Sequence, residues 1–408
     1  MRYIDLFSGM GGMRVAIENI AKKEGFHVEC VGSYEIKKSA IKQINYLFPN
    51  SFIDNVLNYD FSQRKRIDLL LAGFPCQPFS KAGMGKGFND ERGNFIFNIF
   101  EILKYEKPRF FILENVDNIM THDSGKTFDL IINELKKIGY NIDYRILNTK
   151  DFNIPQNRKR LFIVGDYLKE IKIGENKSQT KNFIEIMEKN VDTSYYDKDF
   201  TKIIISKYQN IEYLSGKYLT DKRGGKKNIH SWDLNLFGKV MDEEKIVLNH
   251  ILYERRKKEY SNELNIEWRD GMPMTVEQIN KKLNLNNINY LISKLEEKKY
   301  LKKKLIKDNI YGYSIISGRL GFPFSCFINP NSVSNTLTAM ETNKFGVIDS
   351  QNNVIRRITK REGLRLFGYP ESYTFSNELT IKDCYDLLGN TLGVPIIEHI
   401  FQKIIKNI

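Results

Sequence analysis

Apolar positions along the first 166 residues of this 408-residue chain fall into short runs separated by stretches of helical spacing. The runs at 2–7, 28–34, 67–72, 109–113, 144–147 and 160–164 are short and rich in Ile, Leu, Val and Phe, so they predict strands. Between them, segments near 12–24, 37–47, 94–106 and 125–138 repeat apolar residues at intervals of three and four and predict amphipathic helices. Apolar strands alternating with such helices predict an α/β fold with a doubly wound parallel sheet, covered on both faces. The rhythm stops after Asp166. Residues 167–333 are rich in Lys and Asn and predict a second, smaller and more irregular domain. Patterning returns near Ser334, and an amphipathic helix is expected from about Val394, with Ile396, Ile397, Ile400 and Ile404 on one face.

One part of the middle region has its own signature. Thr275-Val276-Glu277-Gln278 reads as a capping box opening a helix to about Leu283. A turn at 284–286 and a second helix carrying Ile288, Leu291, Ile292 and Leu295 follow, then a β-like stretch ending at Tyr313. The order resembles a winged helix-turn-helix over 275–313, and its second helix and ribbon carry Lys294, Lys298, Lys299, Lys302, Lys303 and Lys304. A solvated helical hairpin would read the same way.

Composition narrows the function classes. No stretch approaches the ~20 apolar residues of a membrane span, and the N-terminus enters a strand directly instead of a signal peptide. Cys30, Cys76, Cys326 and Cys384 are far apart and the five His are scattered, so neither a disulfide framework nor a metal centre is expected, and the setting is a reducing cytoplasm. The net charge is +13, of which +8 lies in 167–333. A basic middle favours a polyanion partner, although Lys is abundant throughout the chain.

The candidate chemistry lies where strands end, because ligands of open α/β sheets bind at the carboxyl edge. Cys76 follows the strand at 67–72 within Gly73-Phe74-Pro75-Cys76-Gln77-Pro78-Phe79-Ser80, as either a nucleophile or a buried structural thiol. The loop Asp5-Leu6-Phe7-Ser8-Gly9-Met10-Gly11-Gly12 ends the first strand, and its glycines let backbone approach a ligand. Glu35 ends the second strand, where a carboxylate can accept from ribose hydroxyls, and Asp54 lies near a third. Glu114-Asn115-Val116 follows the strand at 109–113; a carboxyl desolvated there has a raised pKa and suits a proton donor. In Gln156-Asn157-Arg158-Lys159-Arg160 the two arginines alternate onto one face, able to polarise a base, hold phosphate or pair with Glu114.

These motifs in this order resemble the DNA (cytosine-5) methyltransferases of bacterial restriction–modification systems. The resemblance runs from residue 3 to about 400 apart from the middle region, and includes Arg365-Leu366-Phe367-Gly368-Tyr369-Pro370 and Gly389-Asn390-Thr391-Leu392-Gly393-Val394-Pro395. Ile36, Phe367 and Leu392 depart from the residues common at those places. The resemblance implies a Rossmann-like S-adenosyl-L-methionine-dependent methyltransferase domain over 1–166 and 385–408, and a target-recognition domain over 167–375. It implies that Cys76 adds to C6 of a flipped-out cytosine, that Glu114 holds N3 and the exocyclic amine, and that Arg158, with Arg160 beside it, binds O2. Phe7, Gly9, Gly11, Gly12, Glu35, Ile36, Asp54, Pro75, Asn390 and Thr391 are the implied cofactor contacts. Gln77, Ser80, Lys81 and Arg223 are the expected DNA contacts; 229–233 reads either as a further DNA contact or, through Trp232, as a core anchor of the small domain. Double-stranded DNA is the implied partner of a monomeric enzyme, with a cognate restriction endonuclease acting on the same site without stable binding. Three other readings remain, one of which adds autorepression, with 275–313 binding the enzyme's own promoter. A tRNA methyltransferase of the same fold is opposed by the absence of Cys-Phe-Thr, and a non-catalytic DNA-binding regulator by the intact Cys76, Glu114 and Arg158.

Overall fold

The structure, a computed structural model, describes residues 1–75, 95–316, 322–338 and 342–408. It divides into two compact units: Met1–Val191 with Asn331–Asn343 and Thr359–Ile408, and Asp192–Pro330 with Lys344–Ile358.

The first unit is built on a seven-stranded sheet. Its strands are β1 (Arg2–Leu6), β2 (Glu29–Tyr34), β3 (Ile53–Asp54), β4 (Leu69–Gly73), β5 (Phe110–Val116), β6 (Asn141–Asn148) and β8 (Lys159–Asp166), with a two-residue β7 (Gln156–Asn157) outside it. The order is β3-β2-β1-β4-β5-β8-β6. Helices α1 (Gly12–Glu24), α2 (Lys38–Leu47), α3 (Phe95–Glu106) and α4 (Lys126–Ile138) provide the crossovers, close to the expected limits. Leu69, Leu70, Leu71 and Ala72 are fully buried, as a strand covered on both faces requires.

Two differences from expectation bear on the site. β8 runs antiparallel to both β5 and β6, so the sheet is parallel except for that strand. The link from β6 to β8 holds a 3-10 turn and β7 but no helix, and a parallel return would need a crossover of a dozen residues or more. The antiparallel ladder also lengthens β5: Leu113 pairs with Ile163, Glu114 with Phe162 and Val116 with Arg160. Glu114, Asn115 and Val116 are therefore the end of the strand instead of a segment after it.

The unit does not stop at the expected boundary of 166. Ile171, Ile173, Phe183 and Ile186 are buried, and Ile173 N donates to Asp143 Oδ2 at 2.8 Å. The stretch 359–375, expected in the small domain, also belongs here; Thr359 caps a short helix, Lys360–Arg365. The closing helix forms as expected over Val394–Asn407, packed on α1, with Asn19 Nδ2 donating to Glu398 at 3.1 Å.

The second unit is more regular than its composition suggests, with two apolar cores. One lies under a five-stranded sheet of Asn228–Ile229, Tyr218–Leu219, Cys326–Ile328, Phe345–Asp349 and Val354–Arg357, covered by the helix Lys198–Tyr208. The other joins helices Asp242–Glu254, Glu259–Glu263, Val276–Leu283 and Ile288–Glu297 to a hairpin of Leu301–Lys307 and Ile310–Ile315. Trp232 belongs to this second core: it is 1% exposed, stacks on His230 and donates to Asn249. Ser231 and His230 are buried too. Of the two readings of 229–233, the core anchor is the one the structure has, because Trp232 fills the core.

Candidate active site

The carboxyl ends of β1, β2, β4 and β5 carry the candidate residues of the first unit. Gly73, the last residue of β4, pairs directly with Glu114 of β5. A Cβ at Gly73 would stand 3.6 Å from Glu114 Oε2, at ordinary van der Waals distance, so the Glu114 carboxylate lies directly over this residue. Asn115 is buried and donates through Nδ2 to Phe74 O at 3.0 Å. That bond fixes the backbone after β4, where Phe74 is buried and Pro75 exposed. Cys76, Gln77, Ser80 and Lys81 lie outside the described residues.

Glu114 is the strongest electrostatic feature of this edge. Its side chain is 13% exposed and its Oε1 lies 3.1 Å from Arg160 Nε, itself 17% exposed. The pair follows from register: Arg160 faces Val116, and Glu114 is the diagonal neighbour on the same face. Burial pushes the Glu114 carboxyl above the usual carboxylate range, against the pull of Arg160 and then Arg158. A carboxyl of this kind can keep a proton and donate it.

Arg158 is placed differently from its expected role. Its guanidinium is 3% exposed; Nη1 donates to Leu337 O and Nη2 to Thr391 O, each at 2.8 Å. The ring of Phe367, one of the departures from the usual pattern, lies with its centroid 5.4 Å from the guanidinium carbon. Burial and the neighbouring Arg160 pull the Arg158 pKa down, while Glu114 opposes them. Arg158 thus ties the turn before β8 to two distant stretches of backbone, and Arg160 is the arginine paired with Glu114.

The glycine loop forms the other half of the edge. Phe7, Gly9 and Gly11 all have positive φ, at 56°, 55° and 81°. This is ordinary for glycine and costly for Phe7, so the turn is held by its surroundings. Ser8 N donates to Tyr34 O, and Ser8 Oγ to Asp5 O. Glu35 closes the loop: Oε2 accepts from Gly9 N, and Oε1 from Ile36 N and Lys37 N, all at 2.8 Å. Three of roughly four acceptor positions of the carboxylate are therefore taken by backbone. Asp54 Oδ1 accepts from Asn55 N and Asn58 Nδ2. Open space lies where a Gly9 Cβ would point, and Ile36 is 65% exposed. A glycine cradle, an exposed apolar side chain and two carboxylates fit a nucleoside-bearing cofactor.

The C-terminal motif reaches this loop through Thr391. A Cβ on Gly12 would lie 2.7 Å from Tyr369 Oη and 3.0 Å from Thr391 Oγ1, and those two hydroxyls are 2.6 Å apart. Asn390 is exposed, and its amide turns back to Asp386 O at 2.8 Å. Arg223, in the second unit, is exposed. Sequence reasoning missed Asn115, Tyr369 and Asp5. Asp5 is 1% exposed with Oδ2 unpartnered, and burial pushes its pKa up to about 7. The motifs holding these residues were visible, but no pattern marked which of their members are buried.

The family model of the C-5 cytosine-specific DNA methylases matches residues 1–406. The whole chain is 39% identical to Type II methyltransferase M.NlaIV of Neisseria lactamica, covering 99% of it. It is 35% identical to Type II methyltransferase M.BanI of Aneurinibacillus aneurinilyticus, covering 96% of it. Among solved structures it resembles the S. pombe Dnmt2 methyltransferase with a TM-score of 0.56, over 100% of this chain and 98% of that one, at 17% identity, a likeness of fold alone. Matches that run from end to end, on a chain whose sheet edge pairs a glycine loop with a largely desolvated acid, lead to one assignment: the chain belongs to the C-5 cytosine-specific DNA methylase family.

Proposed function

We propose that the protein methylates C5 of a cytosine flipped out of a short, specific duplex DNA sequence, and that it protects host DNA within a type II restriction–modification system. The observation that carries the reading is Glu114, a largely desolvated acid of raised pKa in register with Gly73, three residues before Cys76 in sequence. The names of the two full-length relatives support the restriction–modification setting.

Cytosine C5 is a poor nucleophile until a thiolate adds at C6. The Cys76 thiolate forms that bond, and protonated Glu114 donates to N3, so the electron pair released toward the ring makes C5 nucleophilic. Arg160, paired with Glu114, meets the base at O2, while Arg158 holds the turn carrying Arg160. S-adenosyl-L-methionine, when bound, supplies the methyl group; Phe7, Gly9, Gly11, Gly12, Glu35, Ile36, Asp54, Pro75 and Thr391 hold and orient it. Loss of the C5 proton to a base then expels the Cys76 thiolate and restores the aromatic ring, and N3 returns its proton to Glu114. A base stacked in a duplex is out of reach, so the cytosine is extruded, with Gln77, Ser80, Lys81 and Arg223 on the DNA.

The test is expression in a host without DNA methylation, with bisulfite sequencing of the plasmid beside a Cys76→Ser control. Protected cytosines within one short motif, absent from the control, are expected. Soluble protein that leaves every cytosine convertible would overturn the reading.

A further inference from the structure

The second core of the second unit has a distinct element order. Helix Asp242–Glu254 comes first; Met274 then bridges antiparallel to Tyr313, followed by helices Val276–Leu283 and Ile288–Glu297 and the antiparallel hairpin Leu301–Lys307 with Ile310–Ile315. Setting aside the short helix Glu259–Glu263, three helices with a single bridging residue, Met274, between the first and second, closed by a two-stranded wing, make a winged helix. The parts are locally fixed. Thr275 and Gln278 form a reciprocal capping box, and Asn284 ends the helix with φ 54°. Asn280 clamps the turn, with Oδ1 accepting from Leu285 N and Nδ2 donating to Leu285 O. Lys298 anchors the last helix to the first through Glu244 at 2.6 and 2.7 Å. Gly312 lets the wing close on Met274, whose carbonyl oxygen would lie 2.7 Å from a Cβ there.

Two neighbouring surfaces of this fold remain unused by its packing. On helix Ile288–Glu297 the residues Ile288, Leu291, Ile292 and Leu295 are buried, which leaves Asn289, Tyr290 and Ser293 exposed toward its N-terminal end. On the wing, Lys302, Lys303, Lys304 and Lys307 are exposed, and Lys303 lies 5.0 Å from the ring of exposed Tyr311. Among the described residues no carboxylate is within ion-pairing distance of Lys302, Lys303 or Lys304. Glu296 and Glu297 sit at the far end of the helix, where Glu297 is paired with Lys294 and Glu296 Oε1 accepts from the backbone N of Lys303 at 3.3 Å. A short helix with polar side chains at its leading end fits the major groove, where Asn and Ser reach base edges. A lysine-rich ribbon beside it fits the phosphates.

We propose that this winged helix reads the target duplex, with Asn289, Tyr290 and Ser293 on base edges and Lys302, Lys303 and Lys304 on the backbone. The choice of duplex DNA as the polyanion rests on the methyltransferase reading above. The test uses the full chain, a duplex holding the methylated motif and a scrambled duplex, with binding measured across salt concentrations. If no motif is methylated, the first duplex comes from selection out of a random pool. Combined Lys302→Ala, Lys303→Ala and Lys304→Ala is expected to weaken both duplexes equally, by tenfold or more, and to reduce the salt slope by about 2.7, at about 0.9 per phosphate contact. Combined Asn289→Ala and Ser293→Ala is expected to weaken only the motif duplex, by tenfold or more, at unchanged salt slope. All five positions are exposed, or in a solvated strand, and unchanged melting temperature and cofactor affinity verify the fold. Unchanged DNA binding by both variants, or losses confined to a structured RNA, would overturn the proposal. Wild-type protein that binds duplex through this surface but leaves no methylated cytosine would sink the methyltransferase reading and leave this one standing. Normal methylation with wild-type KM for DNA in both variants would do the reverse.

Discussion

Two glutamates stand on the carboxyl edge of one sheet and are held in opposite ways. Glu35 is half-buried and accepts from three backbone N–H groups. Glu114, with its side chain 13% exposed, accepts from no backbone N–H among the described residues and faces Arg160. The first is a fixed acceptor whose geometry is set before any ligand arrives. The second is desolvated, so a proton remains at hand in a range where an ordinary carboxylate has lost it. Under the proposed function, one edge separates holding a cofactor from activating a base, and the side chains around each carboxylate set it to its task.

The sharpest break of this comparison is Glu114→Gln. The amide keeps the size but cannot deliver a proton, so kcat for methyl transfer is expected to fall by roughly 10²–10⁴-fold with cofactor affinity unchanged. Equal losses in kcat and cofactor affinity would show that the two halves are not separate. Arg158→Ala comes next. It leaves Leu337 O and Thr391 O without a charged donor, and denaturant unfolding should show a loss of roughly 3 kcal/mol. Arg160→Ala instead removes a charge that lowers the Glu114 pKa, so the alkaline fall of kcat moves to higher pH. Glu35→Ala mirrors Glu114→Gln: the cofactor Kd is expected to rise about 10- to 100-fold by calorimetry, with kcat at saturating cofactor held within about threefold. The last prediction concerns Asp5 instead of the two glutamates. Its folded pKa of about 7 is above the unfolded value, so the folded state binds more protons between the two. Stability is full below about pH 4 and falls as pH rises toward 7, by at most roughly 1.4 kcal/mol per unit, and Asp5→Asn flattens that slope in pH-dependent unfolding.

Much of the first unit was legible because its strands are continuous apolar runs and its helices are amphipathic. The two-residue β3 left no periodic trace, and the reversed direction of β8 is carried by a connection whose lack of a helix no apolar pattern announces. In the second unit, the capping box at Thr275 and the spacing of Ile288, Leu291, Ile292 and Leu295 exposed the helical pair. Its sheet escaped notice because Tyr218–Leu219 and Cys326–Ile328 are two and three residues long and lie far apart in the chain. At the site, Glu114 was legible as a carboxyl near a strand end. The division of labour between Arg158 and Arg160 was not: alternate spacing makes the two equivalent, and the carbonyls that engage Arg158 lie 179 and 233 residues away.

The account stands on covalent activation of the base, and the most direct measurement is trapping. A duplex carrying the target motif with 5-fluorocytosine at the methylated position is incubated with protein and S-adenosyl-L-methionine, then run under denaturing conditions. After methyl transfer the fluorine cannot leave as a proton does, so the account predicts a denaturation-resistant protein–DNA species that is abolished by Cys76→Ser and formed at least 100-fold more slowly by Glu114→Gln. Methylation of the ordinary duplex with no trapped species, or a trapped species that survives Cys76→Ser, would contradict it.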